Sequence, residues 1–286
     1  MSYLADLHMH STASDGTDSP AELLNNVRAR GLRYFSLTDH DTTAGSDELA
    51  RLASPEDGFI RGAELSCATR LRKCHILAYD YDARAKPLRD SLDNLAEIRI
   101  GKMHMRLIIL ERDFGIILSE AAKHQLEQTH SVGKPHIARA IVEAGYCADI
   151  REAFSEYLSK IKLKNTYLPA QEGVESILAS NGIPVWAHPL GGEDETHLTP
   201  EEFFPQLELL LSYGLRGLEC YYSRYTAEES AFLASVAKKH GLYISGGSDY
   251  HGENKNIPLG TLNADGARVT ADRLTLIDAI AARHGA

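Results

Sequence analysis

The sequence predicts an α/β protein of alternating buried strands and amphipathic helices, interrupted once by a wholly helical stretch. Three observations carry that expectation. Short apolar runs, each followed by a polar cluster, recur from residue 4 to 79 and again from 183 to 251. Helical patterns with recognisable caps fall between them. From about Leu88 to Leu163 the strand texture disappears.

The first strand ends in Asp6-Leu7-His8-Met9-His10. Residues two apart on a strand share a face, so His8 and His10 project into one space, where two imidazoles can grip a divalent metal. Read alone, the pair is weak evidence for a metal and fits better a strand with two exposed histidines. The small, polar run Ser11 to Gly16 can fold back and carry Asp15 beside them. Ser19, Pro20 and Gly31 frame a helix over 20–31 with Leu23, Leu24 and Val27 on one face. A strand follows at 34–37, then Thr38-Asp39-His40-Asp41, with Asp39 read as orienting a ligand or capping a turn. Parallel α/β folds place chemistry at such carboxyl ends of strands. A helix at 46–53, a strand at 58–66 carrying Glu64 and a strand at 73–79 carrying His75 near its start continue the pattern. One such residue would be surface or satisfied core; four successive strands each delivering one are harder to explain that way.

The helical stretch is read as an insertion over 100–165, splitting a domain made of 1–99 and 166–286. Helices are predicted at 88–114, 119–124, 134–144 and 150–158. Within it Lys134, His136 and Arg139 are spaced to meet a phosphate near a helix N-terminus. The competing reading is a capped helix with solvated charges, and it weighs more for Arg139. Strands resume at 183–189, ending in Ala187-His188-Pro189, at 215–221, leading to Arg224, and at 242–251, running into Gly247-Ser248-Asp249-Tyr250-His251. Helices are predicted at 200–213, 227–240 and 270–283. His104, His124, His197, His240 and His284 read as surface or structural.

A length of 286 residues suits one large domain, or one with an insertion. A net charge of −10 without a basic stripe argues against binding long nucleic acid, whereas small phosphorylated substrates suit a metal cluster that supplies local positive charge. Cys67, Cys74, Cys147 and Cys220 form no metal-binding spacing and read as reduced, mostly core residues. With no secretory pattern and no run long enough to span a membrane, the expected location is the cytoplasm, away from membranes. The expected assembly is a monomer or small homo-oligomer.

The ordered pieces Asp-Leu-His-Met-His, Leu-Thr-Asp-His-Asp, Gly-Ala-Glu-Leu-Ser, Ala-His-Pro and Gly-Ser-Asp-Tyr-His span residues 6 to 251. Together they resemble the polymerase and histidinol phosphatase (PHP) family of phosphoesterases. The insertion resembles the group within it that acts on small phosphate monoesters of nucleotides and sugars. The resemblance implies a distorted seven-stranded (β/α)7 barrel with two or three divalent metals at its mouth. His8, His10, Glu64 and Asp249 would hold one. Glu64 would bridge to a second, completed by His75 and His188. Asp15, His40 and His251 would hold a third. Relatives with three metals often have histidine where Asp15 stands, and a carboxylate there favours Mn²⁺ or weaker occupancy; Zn²⁺ and Fe²⁺ are alternatives.

The expected reaction is attack on phosphorus by a hydroxide shared between two metals. Glu64, Asp249 and His251 are the catalytic candidates. Lys134, His136, Arg139 and Arg224 are the substrate-binding candidates, although Arg224 could equally pair with Glu228. The leaving-group acid is a metal-bound water or His251. Nucleotide 3′,5′-bisphosphates and the 5′ ends of short oligonucleotides lead the expected substrates. A cyclic sugar phosphate and histidinol phosphate are the alternatives, the latter disfavoured by the insertion and Asp15. A non-catalytic metal-binding module would have lost ligands, and none is missing; an amidohydrolase would cleave amides without releasing phosphate.

Overall fold

The computed structural model describes residues 4–164, 166–192 and 197–285. Eight strands are present among them: β1 (Leu4–Asp6), β2 (Leu32–Leu37), β3 (Gly58–Ala68), β4 (Lys73–Tyr79), β5 (Leu168–Pro169), β6 (Ile183–Trp186), β7 (Gly217–Tyr222) and β8 (Tyr243–Gly247). Seven run in the order β1-β2-β3-β4-β6-β7-β8, with the short β5 paired to β3. Leu7 N–H donates to the Gly246 carbonyl at 3.1 Å, and Asp249 N–H to that of His8 at 2.8 Å, which brings the last strand back to the first. The result is a nearly closed (β/α)7 barrel. Leu7, Leu77, Tyr79 and Val185 are buried together with Leu276 and Ile277 of the last helix.

One strand departs from the simple alternation. β4 is antiparallel to both β3 and β6, because Thr69 to Arg72 forms a tight reversal closed by Thr69 N–H donating to the Arg72 carbonyl. The reversal explains why His75 works from the start of its strand: it pairs in register with Ser66 near the end of β3.

The helices follow their caps. In α1 (Pro20–Ala29) Ser19 and Glu22 form a reciprocal capping box, and Thr226 and Glu229 do the same for α9 (Ala227–His240). α2 (Ala44–Leu52) and α8 (Pro200–Tyr213) complete the pairings with strands. Helix α7 (Ala170–Ala179) had no counterpart in the expected elements. Its Gly173 interrupts the apolar periodicity, yet a Cβ there would lie 2.8 Å from Cys67 Sγ, so close packing against β3 excludes a larger residue. The expected last helix divides into a 3₁₀ turn at Ala271–Arg273 and α10 (Thr275–His284), with Leu274 (φ −99°, ψ 83°) outside helical geometry between them.

Between β4 and β5 lie α3 (Lys86–Phe114), α4 (Glu120–Glu127), α5 (Lys134–Glu143) and α6 (Ile150–Ala153), which continues into a π-helical turn at Phe154–Leu158. α3 runs unbroken through residue 100. Its Leu88, Leu92 and Leu95 join the barrel's outer core, whereas Met103 and Leu110 join a second cluster with Ile137, Ile141 and Leu158. One helix thus ties both cores together. Asn165, the expected end of the insertion, lies outside the described residues. All four cysteines are free, with Cys67, Cys74 and Cys220 buried and Cys147 partly so. No helix among the described residues is long and apolar enough to cross a membrane.

Candidate metal centre

Past Asp6 the regular strand stops, but the chain stays extended and Met9 bridges to Tyr250. The spacing of two therefore still applies, and the Nε2 atoms of His8 and His10 meet 3.1 Å apart. Asp6 anchors this stretch, accepting from Ser248 Oγ at 2.6 Å and from the backbone N–H groups of Ser248 and Gly260. Burial pushes its carboxyl up to about 6. Gly247 lets β8 pass: a Cβ there would sit 2.2 Å from that of His8.

The loop after His10 is held by Asp39. Its carboxylate accepts from Ser11 N–H and Ser11 Oγ, both at 2.7 Å, and from Ser14 Oγ at 2.6 Å. That fold-back sets Asp15 Oδ1 3.2 Å from His251 Nε2, with Asp15 Oδ2 3.9 Å from His40 Nε2. His251 Nδ1 lies 2.8 Å from the Asp249 carbonyl, and donating to it leaves Nε2 free as a ligand atom.

Glu64 sits in the middle, and its two oxygens face different groups. Oε1 is 2.9 Å from His75 Nδ1 and 3.2 Å from His188 Nε2. Oε2 is 2.9 Å from His40 Nδ1 and 3.3 Å from the Nε2 atoms of both His8 and His10. Asp249 divides in the same way. Oδ1 is 3.2 Å from His10 Nε2 and 3.6 Å from His8 Nε2, while Oδ2 accepts from Tyr222 OH and pairs with Lys255 at 2.7 Å. Asp41, His188 and Asp249 all adopt left-handed backbone, with φ of 54°, 30° and 57°. Such strain in non-glycine residues gathers at functional sites.

The charges would not sit together unaided. Burial alone raises the Glu64 and Asp249 carboxyls. The imidazoles around Glu64, and Lys255 with the imidazoles around Asp249, instead hold both well below the usual carboxylate range. Burial together with the charges of His251 and His40 pushes the His10 imidazole well down, so it is neutral and ready to ligate. Three buried atoms, His40 Nδ1, His75 Nδ1 and Glu64 Oε2, have no hydrogen-bond partner although both imidazole nitrogens lie 2.9 Å from the Glu64 carboxylate. Buried polar atoms are rarely left so, and a cation is what converging lone pairs of this kind accept.

The residues present fit divalent metals. His8, His10 and Asp249 offer ligand atoms to one point, as do His40, Glu64 and His75, and as do His10, Asp15, His40 and His251. Eight of the nine expected ligands fall in these groups, and the ninth, His188, faces Glu64 Oε1 at 3.2 Å without joining one. His40 differs from the expectation in facing two ways, with Nδ1 toward Glu64 and Nε2 toward Asp15. The donors are imidazole and carboxylate without thiolate, a set that suits Mn²⁺, Fe²⁺ or Zn²⁺.

Sequence reasoning passed over Glu219. Fully buried on β7, it accepts from His8 Nδ1 at 2.9 Å and from the backbone N–H of His188 at 2.7 Å. A carboxylate that only accepts fixes His8 as the Nδ1–H tautomer and leaves Nε2 for metal. An acid between Leu218 and Cys220 in an apolar strand was the available signal. Lys255 was also missed, and its irregular loop offered none.

The substrate-binding candidates separate. Lys134 lines a pocket over the end of β3 together with Arg99, Lys102 and Arg106. Arg99 pairs with Asp41 at 2.5 Å and reaches Ser66 Oγ. Burial and neighbouring cations lower Lys102, Arg106 and Lys134 from their ordinary values. Among the described residues lining this pocket, Asp41 is the only acid. His136 caps α5 by accepting from Gly133 N–H at 3.0 Å, and also bonds to the Ser14 backbone. Arg139 lines a shallow groove between α4 and α5, and Arg224 is exposed past β7, lining neither this pocket nor the one over the metal centre.

Residues 6–172 match the PHP domain family. The chain belongs to that family. A 5′-3′ exoribonuclease of Haemophilus influenzae is 32% identical over 254 residues, covering 86% of this chain and 89% of the relative. A 3′,5′-nucleoside bisphosphate phosphatase of Chromobacterium violaceum is 28% identical over 250 residues, with 86% of each chain covered. A Bifidobacterium adolescentis structure assigned to the metal-dependent phosphoesterases superposes with a TM-score of 0.79 and 27% identity, covering 98% of this chain and 96% of the other. This PHP chain is a metal-dependent phosphoesterase, a hydrolase of phosphoric esters.

Proposed function

We propose that this PHP protein hydrolyses nucleotide 3′,5′-bisphosphates and the 5′ ends of short oligonucleotides, using Mn²⁺ in the cytoplasm. The observation that carries the substrate is the pocket of Arg99, Lys102, Arg106 and Lys134 beside the metal centre. Four cations around one acid form an anion site, and a bisphosphate presents a second phosphate to fill it. The names of the two relatives described above support the same class.

In this reading His8, His10, Glu64 and Asp249 hold one metal, Glu64 shares a second with His75 and His188, and Asp15, His40 and His251 hold a third. When bound, the metals supply an activated water and neutralise phosphoryl charge. The chain's own groups do the rest. Lys134 and the arginines fix the phosphate that is not cleaved, which orients the other for in-line attack. Glu219 and Tyr222 hold His8 and Asp249 in position. His136 ties the helices of residues 100–165, acting as a cap, to the loop that carries Asp15.

Lys134→Ala should lower the preference for a 3′,5′-bisphosphate over p-nitrophenyl phosphate about tenfold. Steady-state kcat/KM for the two substrates reads the ratio directly. An unchanged ratio would remove the pocket from the account.

A further inference from the structure

Arg99 reaches from α3 to the barrel and is held there at three points. Its Nε donates to Asp41 Oδ2 at 2.5 Å, Nη2 to Ser66 Oγ at 3.2 Å and Nη1 to the Val132 carbonyl at 3.5 Å. A guanidinium carries five N–H groups, so two stay open, one on each Nη. Asp41 is fixed in turn by β3. Its N–H donates to the Glu64 carbonyl at 2.8 Å, and its Oδ1 accepts from Ser66 N–H at 2.6 Å. Its backbone is left-handed, with φ of 54°, and its side chain is 1% exposed. Strain of that kind persists only where the surroundings over-determine it. Yet Asp41 joins none of the groups that offer ligand atoms to a metal among the described residues. The neighbouring charges work against this arrangement. Burial and then the charge of Arg99 lower Lys102 and Arg106 from their ordinary values, so three cations of one pocket repel one another.

We propose that Asp41 is a positioning residue: it holds the Arg99 guanidinium so that its two open N–H groups meet the phosphate that is not cleaved. The proposal rests on the bisphosphate reading above and adds what sets the spacing of the two phosphates. Glu64 and Ser66 lie two residues apart on β3. Glu64 belongs to the metal centre, where one phosphate reacts, and Ser66 with Asp41 fixes Arg99, which holds the other. One strand end therefore sets both positions, and a substrate with two phosphates at a fixed separation is preferred to one with a single phosphate. A mere counter-charge would act in the opposite direction. Removing the charge of Asp41 adds one positive charge to the pocket, and an anion should then bind more tightly. Removing an anchor instead lets Lys102 and Arg106 push Arg99 out of place, and the anion should bind more weakly.

The test is Asp41→Asn, read as KM and kcat with Mn²⁺ for a 3′,5′-bisphosphate and for p-nitrophenyl phosphate. Asparagine tolerates the left-handed backbone and keeps one oxygen for Ser66 N–H, but it turns an NH₂ toward Arg99. The preference for the bisphosphate should fall about tenfold, mainly through its KM. Arg99→Lys keeps the charge without the Nε–H and should cost a similar factor. Adding Asp41→Asn to Arg99→Lys should then cost little more, because the partner is already gone. Three results would overturn the role: a lower KM for the bisphosphate in Asp41→Asn, an equal slowing of both substrates, or fully additive losses in the double variant. If Asp41→Asn does not fold, Ser66→Ala removes the other barrel anchor of Arg99 and should lower the preference about threefold; an unchanged preference there would overturn the role as well. A wild type with no preference for the bisphosphate would instead overturn the reading beneath it.

Discussion

Glu64→Gln should lower turnover by at least about 10³-fold, with the fold intact. The side chain keeps its volume, but one oxygen becomes an NH₂ donor. Whichever oxygen is lost, the amide then points hydrogens either at His75 and His188 or at His8, His10 and His40. It can no longer serve both sides of the centre, and the negative charge that offsets the metals is gone. Metal content should fall by at least one ion per chain. Circular dichroism and the melting temperature of the metal-free protein should stay near wild type, because no cavity is made. Near wild-type activity in this variant would show that the assigned cluster is not the reacting one.

Glu219→Gln should weaken metal binding about 10- to 100-fold, the usual effect of losing the partner that orients a ligating histidine. The carboxylate satisfies two donors at once, His8 Nδ1–H and His188 N–H. An amide has one acceptor oxygen. If it keeps His188, its NH₂ faces His8 and forces Nδ1 to accept, which moves the proton to Nε2 and blocks ligation. If it keeps His8, the buried N–H of His188 is left opposite another donor, at a residue whose left-handed backbone is already strained. Affinity should be read by competition with a chelator of known strength. Excess Mn²⁺ should restore activity to Glu219→Gln and not to Glu64→Gln. That contrast separates a positioning group from a ligand, and wild-type affinity in Glu219→Gln would refute the role.

How much of this was legible depended on whether neighbours in space were neighbours in sequence. His8 and His10 needed only the two-residue period of an extended chain, and α8 and α9 needed only their caps. His75 was identified without the reason for its position, which lies in the reversal at Thr69–Arg72 that turns β4 antiparallel. Helix α7 was hidden because Gly173 serves a contact with Cys67 from another element. The cationic pocket was visible only through Lys134. Arg99, Lys102 and Arg106 belong to a helix whose polar positions read as solvated until its two ends are seen to pack on different cores. Glu219 was legible in principle, since an acid inside an apolar strand requires a buried partner.

The most direct test of the central claim is inorganic phosphate release from a nucleotide 3′,5′-bisphosphate by protein stripped of metal, with and without added Mn²⁺. The panel also holds ordinary monophosphates, cyclic sugar phosphates and histidinol phosphate. The account predicts no release from stripped protein, restored turnover on adding Mn²⁺, and the highest kcat/KM for the bisphosphate. Bound Mn²⁺ without phosphate release from any member would contradict it.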